Sequence, residues 1–411
     1  MTEARFLQIH TLHSYSSVLL NRDDSGFAKR LPYGGAMRTR ISSQCLKRHW
    51  RVADDVHALS RIAGYTDAFR SRELVTEKVI GALAPSISPA TRAELDKLFQ
   101  TAVYGDKGTE KSKRQTLLFG KPEIDWLAGQ ARDLAERIEP LLLGASAAAP
   151  PAEAKGGRKP KKDESPPEVE KIKKEWSDTF KANIKSMRDQ TSGAAGLAAA
   201  LFGRMVTSDT AANIDAPIHV AHAFTTHAAE TESDYLTAMD DLKRDDDDSG
   251  ADTIQETELT SGLFYGYVVV DVPGLVSNTA GCDRKDWLSV PPERRALAAD
   301  VIHNLLYLIA EVSPGAKLGS TAPYGRAELM LVEAGNRQPR SLSAAFREPC
   351  KPTIRDSLCK LADQLDQFDK VYATGEARRA LHLQNSDWAG VARGSISDLA
   401  QWAKSAVASG A

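Results

Sequence analysis

The stretch GLFYGYVVVDV, residues 262–272, most constrains the fold of this chain. Aromatic and β-branched residues dominate it, so it reads as a strong strand. A helical pattern follows at 293–312, ERRALAADVIHNLLYLIAEV, and a second strand, RAELMLVEA, at 326–334. Near the N-terminus RFLQIHTLHSY (5–15) is also strand-like, with Leu7, Ile9 and Thr11 alternating against Gln8, His10 and Leu12. A loop with Asn, Asp and Gly comes next, and then a helix. Strand–helix at the start and strand–helix–strand near the end predict one α+β domain, split by a long insertion. Amphipathic runs such as TRAELDKLFQ make 60–143 helical, and EVEKIKKEWSDTFKANIKSM resumes the pattern. Between them, residues 144–167 are low complexity and bury too little apolar surface to offset ordering, so a disordered loop is expected there. The last third is expected to be mostly helical.

A chain of 411 residues suggests about two to three domains. Its net charge of −2 says nothing of nucleic acid, so any such case rests on local charge. Cys45, Cys282, Cys350 and Cys359 form no CxxC pair, which fits a reducing compartment. The N-terminus lacks a basic region leading into an apolar one, and no stretch approaches 18 apolar residues; GAAGLAAALFG at 193–203 is too short to span a bilayer. A soluble cytoplasmic protein without a membrane partner is expected.

The local charge is at RTRISSQCLKRHWR, residues 38–51. On a helix from Ser43, the side chains of Gln44, Lys47, Arg48 and Arg51 fall within about a 100° arc. Cys45, Leu46, Trp50, Val52, Ala53 and Val56 fall opposite and should pack on a sheet. Ser42 or Ser43 can cap the helix, whose free N–H groups and dipole attract an anion. Basic residues just behind that N-terminus oppose the dipole, a penalty that a bound phosphate would relieve. From Lys29 to Arg51 there are seven Lys/Arg (29, 30, 38, 40, 47, 48, 51) and no acid. A solvated basic face explains this run too; a phosphate-binding face is the sharper reading.

Six segments in order, LNRDD (20–24), GGAMRTRISSQCLKR (34–48), GRMVTS (203–208), IHVAHAFTTH (218–227), LTAMDDL (236–242) and EVSPGAK (311–317), resemble the CasC-type backbone subunit of Cascade, the type I-E CRISPR surveillance complex. The resemblance covers 5 to about 58 and 200 to about 333, and is weak elsewhere. It implies an RRM-like (ferredoxin-like) palm at 1–57 and 261–400, a helical fingers insertion at 58–200, and a β-hairpin thumb with an acidic loop at 206–260. It implies copies stacked head to tail along a guide RNA, with each thumb displacing a base and the rest presented to target DNA. The other Cascade subunits would be partners: the large, small, guide-end-capping and guide-processing ones. Arg22, Lys29, Arg40, Ser42, Ser43, Gln44, Lys47, Arg48 and Arg51 would contact the guide RNA. Met205 would pack at a displaced nucleotide, although a core methionine fits its pattern equally. Lys317 would hold a phosphate, although a surface lysine is the plainer reading.

Several features stand apart from that resemblance. KGGRKPKK (155–162) has five basic residues in eight and is either linker or a tether for DNA phosphates. Residues 230–258 hold twelve Asp/Glu against Lys243 and Arg244, a solvated face or a surface that docks on an adjacent copy. Phe264, Tyr265 and Tyr267 lack the ordered basic-Gly-aromatic signature of base-stacking sheets and read as sheet packing. His219, His222 and His227 with Glu230, and His10 with His13, match no metal-motif spacing, so neither metal nor cofactor is expected. Asp23 and Asp24 occupy the loop where RNA-cleaving backbone subunits carry a catalytic Asp. In the type I-E family the same NRDD stands without cleavage, so a structural turn and no catalysis are expected, with RNA cleavage by Asp23/Asp24 as the alternative.

Overall fold

The computed structural model describes residues 4–106, 108–147, 165–191, 193–238, 253–384 and 388–409. The chain divides into two units, Met1–Gly64 with Pro217–Ala411, and Tyr65–Ala216. In chain order the strands are β1 (Phe6–Val18), β2 (Arg30–Tyr33), β3 (Ala36–Ile41), β4 (Ala68–Ser71), β5 (Leu117–Gly120), β6 (Ile218–Val220), β7 (Ala223–Thr225), β8 (Glu230–Ala238), β9 (Thr253–Asp271), β10 (Ala327–Gly335), β11 (Ala377–His382) and β12 (Ala392–Arg393).

The first unit is built on one sheet of order β12-β11-β10-β1-β9-β7-β3-β2, with β6 and β8 also paired to β9. β1 lies antiparallel between β10 and β9, and β6 is antiparallel to β9. Taken along the chain, β1, the helix Ser43–Arg51, β6, β9, the helix Pro292–Glu311 and β10 make a β-α-β-β-α-β series. Across the sheet the four strands run β10-β1-β9-β6, so this is the RRM-like palm arrangement, within an α+β fold. β9 begins at Thr253, nine residues before the strand read from its apolar pattern, because its first part pairs with β8 as a hairpin. It stops at Asp271, whose carboxylate accepts the Gly274 N–H at 3.3 Å and caps the next helix. Helix predominates in the last third, in Pro292–Glu311, Ile354–Tyr372 and Ile396–Ser409, and β10, β11 and β12 lie among these helices and extend the sheet.

Both faces of the central sheet are covered. On one, Thr11, His13 and Phe264 share a small apolar cavity with Leu46 and Trp50 of the first helix and Ile309 of the Pro292–Glu311 helix. On the other, Leu12, Tyr265, Leu329 and Leu331 pack with Leu358, Leu361 and Leu365 of the Ile354–Tyr372 helix. That second face also carries a buried polar network. The Glu333 carboxylate accepts two bonds from Arg340 (2.7 and 2.8 Å) and one from Arg378 (2.7 Å), and it meets His10 Nε2 at 3.0 Å. His10 Nδ1 lies 2.9 Å from the Tyr265 hydroxyl. Burial holds the His10 pKa down; burial also works against the Glu333 carboxylate, but its bonds to His10 and Arg340 hold it well below the usual carboxylate range. Phe264 and Tyr265 are buried, and Tyr267 donates to Gln8 at 2.8 Å, so these aromatics serve the sheet.

The β2–β3 hairpin turns at Gly34 and Gly35, with φ of +60° and +78°. Two successive positive φ values are what a two-residue hairpin turn with the right twist requires. A Cβ on Gly34 would also collide with the Arg347 carbonyl oxygen. Behind this turn Arg38 is fully buried and donates to the carbonyls of Tyr33 (3.2 Å), Thr225 (3.0 Å), Phe346 (3.0 Å) and Arg347 (3.3 Å). One of the seven basic residues of the 29–51 window is therefore an internal strut and is not available to an anion.

In the Tyr65–Ala216 unit, the helices Pro89–Tyr104, Lys121–Ala147 and Pro167–Gln190 bury Leu95, Phe99, Leu127, Leu134, Trp176 and Phe180 together. Buried Glu123 joins Arg188 and Arg204, each at 2.6 Å. The helix to Ala147 takes up the start of the loop expected at 144–167, and Pro167 opens the next helix. Residues 148–164, with KGGRKPKK, lie outside the described residues. So does 239–252 of the acidic run; Glu230, Glu232, Asp234 and Glu256 are exposed on the β8–β9 hairpin. Among the described residues no helix is long and apolar enough to cross a membrane.

Arg38→Ala strips four carbonyls of a charged donor, those of Thr225 and Phe346 in fully buried bonds. It is expected to destabilise the first unit by about 3 kcal/mol or more, read as a lower midpoint in chemical denaturation of the purified chain. Arg22→Ala, at an exposed position, should leave that midpoint unchanged.

Candidate nucleic-acid interface

The site begins where β1 ends. Leu19 bridges to Ala316, whose N–H donates to the Leu19 carbonyl at 2.8 Å. Two residues on, the Asn21 side-chain oxygen accepts the Ser42 N–H at 2.9 Å, and its backbone carbonyl accepts the Lys29 N–H at 2.9 Å. The Lys29 carbonyl in turn accepts the Arg40 N–H at 2.8 Å. One short stretch thus fixes the start of the helix, the 22–29 loop and the 315–322 loop together.

Ser42 is extended (φ −71°, ψ 147°), and its Oγ accepts the Cys45 N–H at 3.3 Å, the geometry of an N-cap. Ser42 and Ser43 are buried, while Gln44 and Arg48 are exposed and Lys47 and Arg51 half-buried. Cys45 and Leu46 pack against Tyr15, Val18, Ile41 and Phe264, and Trp50 is buried. Val52 and Val56 do not join that packing. The helix ends at Arg51, so both lie beyond it and are exposed. The same ending corrects the dipole argument: Arg48 and Arg51 stand in the last turn of a nine-residue helix, where cations are favoured. No penalty there needs relief by a phosphate; the capped N-terminus and converging side chains remain.

Those side chains do converge. Arg40 Nη1 meets His222 Nδ1 at 2.9 Å, and Arg40 Nε donates to the Arg30 carbonyl at 3.2 Å. The His222 pKa is held below its usual value by burial first, then by the positive charges of Arg40, Lys29 and Lys47. Cys45 feels Arg48 and Lys29, although burial dominates and pushes its thiol up. Lys29, Arg40, Lys47 and Arg48 therefore make one cationic field around the helix start. Arg22 is exposed on the adjoining loop. Lys317 is exposed at the Ala316 side, and its ammonium donates to the Thr257 hydroxyl on β9. Arg30 is paired with buried Glu258 on the same strand.

Met205 belongs to the other unit. It is 70% exposed, which removes the core-methionine reading, and lines a surface recess of about 570 Å³ with Arg70, Gln115 and Asn213. Asp23 uses its Oδ1 on the N–H groups of Ser25 (2.9 Å) and Phe27 (3.0 Å), an Asx turn; Asp24 is exposed. His227 uses both ring nitrogens on backbone, Nδ1 toward the Ala228 carbonyl (2.8 Å) and Nε2 toward the Leu263 N–H (3.1 Å), so neither is left for a metal. The contribution of His222 to Arg40 was not legible in the sequence, since 182 positions separate them.

A Cas family described as CT1975-like protein matches residues 7–403. The chain belongs to that family. Comparison with curated proteins finds no match. Two solved structures share the fold. One, a chain of a "CRISPR RNA-guided surveillance complex, pre-nicking", has a TM-score of 0.72 and 22% identity, over 98% of this chain and 100% of that one. The other, from a "CRISPR RNA-guided surveillance complex", has a TM-score of 0.61 and 20% identity, over 96% of this chain and 99% of that one.

The cationic field has a direct readout. By NMR titration His222 should protonate below the usual histidine range. Its pKa should rise in Arg40→Ala or Lys29→Ala, because each removes a charge that opposes the imidazolium. An unchanged value in both variants would mean that the cations do not share one site.

Proposed function

We propose that this protein is a non-catalytic guide-RNA-binding backbone subunit of a CRISPR surveillance complex, of the type I-E Cascade kind. The observation that carries the reading is the convergence of Lys29, Arg40, Lys47 and Arg48 on a capped helix start at the end of β1. Sequence-independent binding of a single strand needs phosphate contacts at fixed positions, and Lys, Arg and free N–H groups of a helix start supply them. The covered sheet faces favour a strand held at the sheet's end, unlike the open-face stacking of an ordinary RNA-recognition domain. Membership of a Cas family and the fold shared with chains of RNA-guided complexes support the same reading.

In this account copies of the chain stack head to tail on the guide. The β8–β9 hairpin acts as the thumb, the Tyr65–Ala216 unit supplies the fingers, and Met205 packs at a displaced nucleotide. The guide pairs with target DNA, and the remaining Cascade subunits complete the particle. Asp23 has a structural role in its turn, so no cleavage is expected.

The test is coexpression with a CRISPR array and the partner subunits, followed by sizing of the nucleic acid that copurifies. One discrete RNA of repeat-plus-spacer length in a large particle is expected, and its recovery should fall in a Lys29→Ala, Arg40→Ala, Lys47→Ala triple variant. A heterogeneous RNA smear on a monomer would contradict the reading. Complementary RNA added to the particle should be recovered intact; shortened products that vanish in Asp24→Ala would make it an RNA-cleaving subunit instead.

A further inference from the structure

We infer that Tyr324 is a base-stacking residue for the strand held at the cationic site. The inference rests on the guide-RNA reading above and assigns a contact to the base where that reading assigns contacts to phosphate.

Tyr324 is 79% exposed, the most exposed large apolar or aromatic side chain among the described residues, and Leu318 on the same loop is 51% exposed. The backbone that presents them is fixed at both ends. Ala316 is paired to Leu19, as above. Gly325 donates its N–H to the Ser313 hydroxyl at 2.9 Å, and that hydroxyl donates to the Gly325 carbonyl at 2.8 Å. Ser313 also accepts from Tyr15 at 3.1 Å, and Gly325 lies so close to the Tyr15 ring that a Cβ there would clash. Pro323 is buried beside Gly315. Between these anchors Lys317 (φ +55°) and Ala322 (φ +40°) take left-handed backbone that non-glycine residues avoid, a cost each persists with only where the surroundings impose it. The Tyr324 N–H closes a tight turn on the Ala322 carbonyl at 2.7 Å. An ordered, strained loop that holds an aromatic ring in water has the form of a preorganised contact.

Position selects the ligand. The loop starts on Leu19, and Asn21, which holds the helix start, is two residues further along; that separation is at most about 7 Å of chain. Lys317 places an ammonium on the same loop. An aromatic face beside a track of cations is the arrangement that binds single-stranded nucleic acid, because every base offers a face to stack whatever its identity. The expected ligand is thus an unpaired nucleobase without sequence preference. A contact with a second copy of the chain is the competing use of an exposed Tyr and Leu, and the Lys29, Arg40 and Lys317 setting favours RNA over it.

The experiment compares two fluorescent ligands on the full-length, nuclease-treated chain: a single-stranded RNA of repeat-plus-spacer length and an abasic polymer of equal length with the same phosphates. Tyr324→Ala should weaken binding of the RNA about tenfold and leave abasic binding at the wild-type level, while Tyr324→Phe keeps wild-type affinity for both. Lys47→Ala, the control, should weaken both ligands. If Tyr324→Ala matches wild type on RNA while Lys47→Ala weakens both, the stacking role is wrong and the guide-RNA reading stands. An equal loss on both polymers, or a smaller assembly by light scattering with RNA affinity intact, assigns Tyr324 to phosphate or to a neighbouring copy and also overturns it. A wild-type chain indifferent to either ligand defeats the reading on which the inference rests.

Discussion

The hydrogen bond from the Ser42 N–H to the Asn21 side chain is the contact on which the interface depends. It ties the N-cap of the first helix to the chain leaving β1. Leu19 in the same stretch carries the 315–322 loop through its bridge to Ala316. β1 is itself held by β9 on one side and β10 on the other. A rigid central strand therefore positions three otherwise separate loops. Long cationic side chains gain specificity only when their stems start from fixed places, and here the sheet fixes them.

The remainder of the first unit favours the end of the sheet over its face as the place for the proposed strand. In an RNA-recognition fold the open sheet face is the natural stacking platform. Here the Ile354–Tyr372 helix covers it, and Glu333 with Arg340, Arg378 and His10 occupies the buried ground beneath. Breaking such a network by removing one partner leaves a charge buried without compensation, so that face is committed to structure. In the proposed reading, binding would use the loops and the helix start, where Arg22, Arg48 and Lys317 are exposed and Lys29, Arg40 and Lys47 half-buried. The β8–β9 hairpin carries exposed Glu230, Glu232 and Asp234, which would repel a phosphate backbone laid along them, so as a thumb it would meet the strand at a displaced base and not along its phosphates.

Much of this was legible in the residues. The central strands declare themselves through β-branched and aromatic runs, and the capped start of the first helix through Ser42 before a cationic stretch. What was not legible has local causes. The apolar period of the helix continues into Val52 and Val56, but Asp55 takes the His57 N–H onto its carboxylate at 2.8 Å, a local turn that competes with further helix. The early part of β9 is hidden because Glu256 and Glu258 alternate with Thr257, so neither face of the hairpin reads as apolar. Arg38 looks like surface charge until the fold sets four carbonyls around it. Arg40 and His222 meet only through the sheet. Contacts made across the whole chain are where periodicity carries no information.

In the proposed reading the bound strand lies at the end of β1 and not on the sheet face. Hydrogen exchange on the RNA-loaded and RNA-stripped protein tests it most directly. RNA-dependent protection is expected in residues 21–30, 40–48 and 315–324, with exchange in the Ile354–Tyr372 helix unaltered. Protection of that helix, with residues 40–48 exchanging equally in both forms, would contradict it.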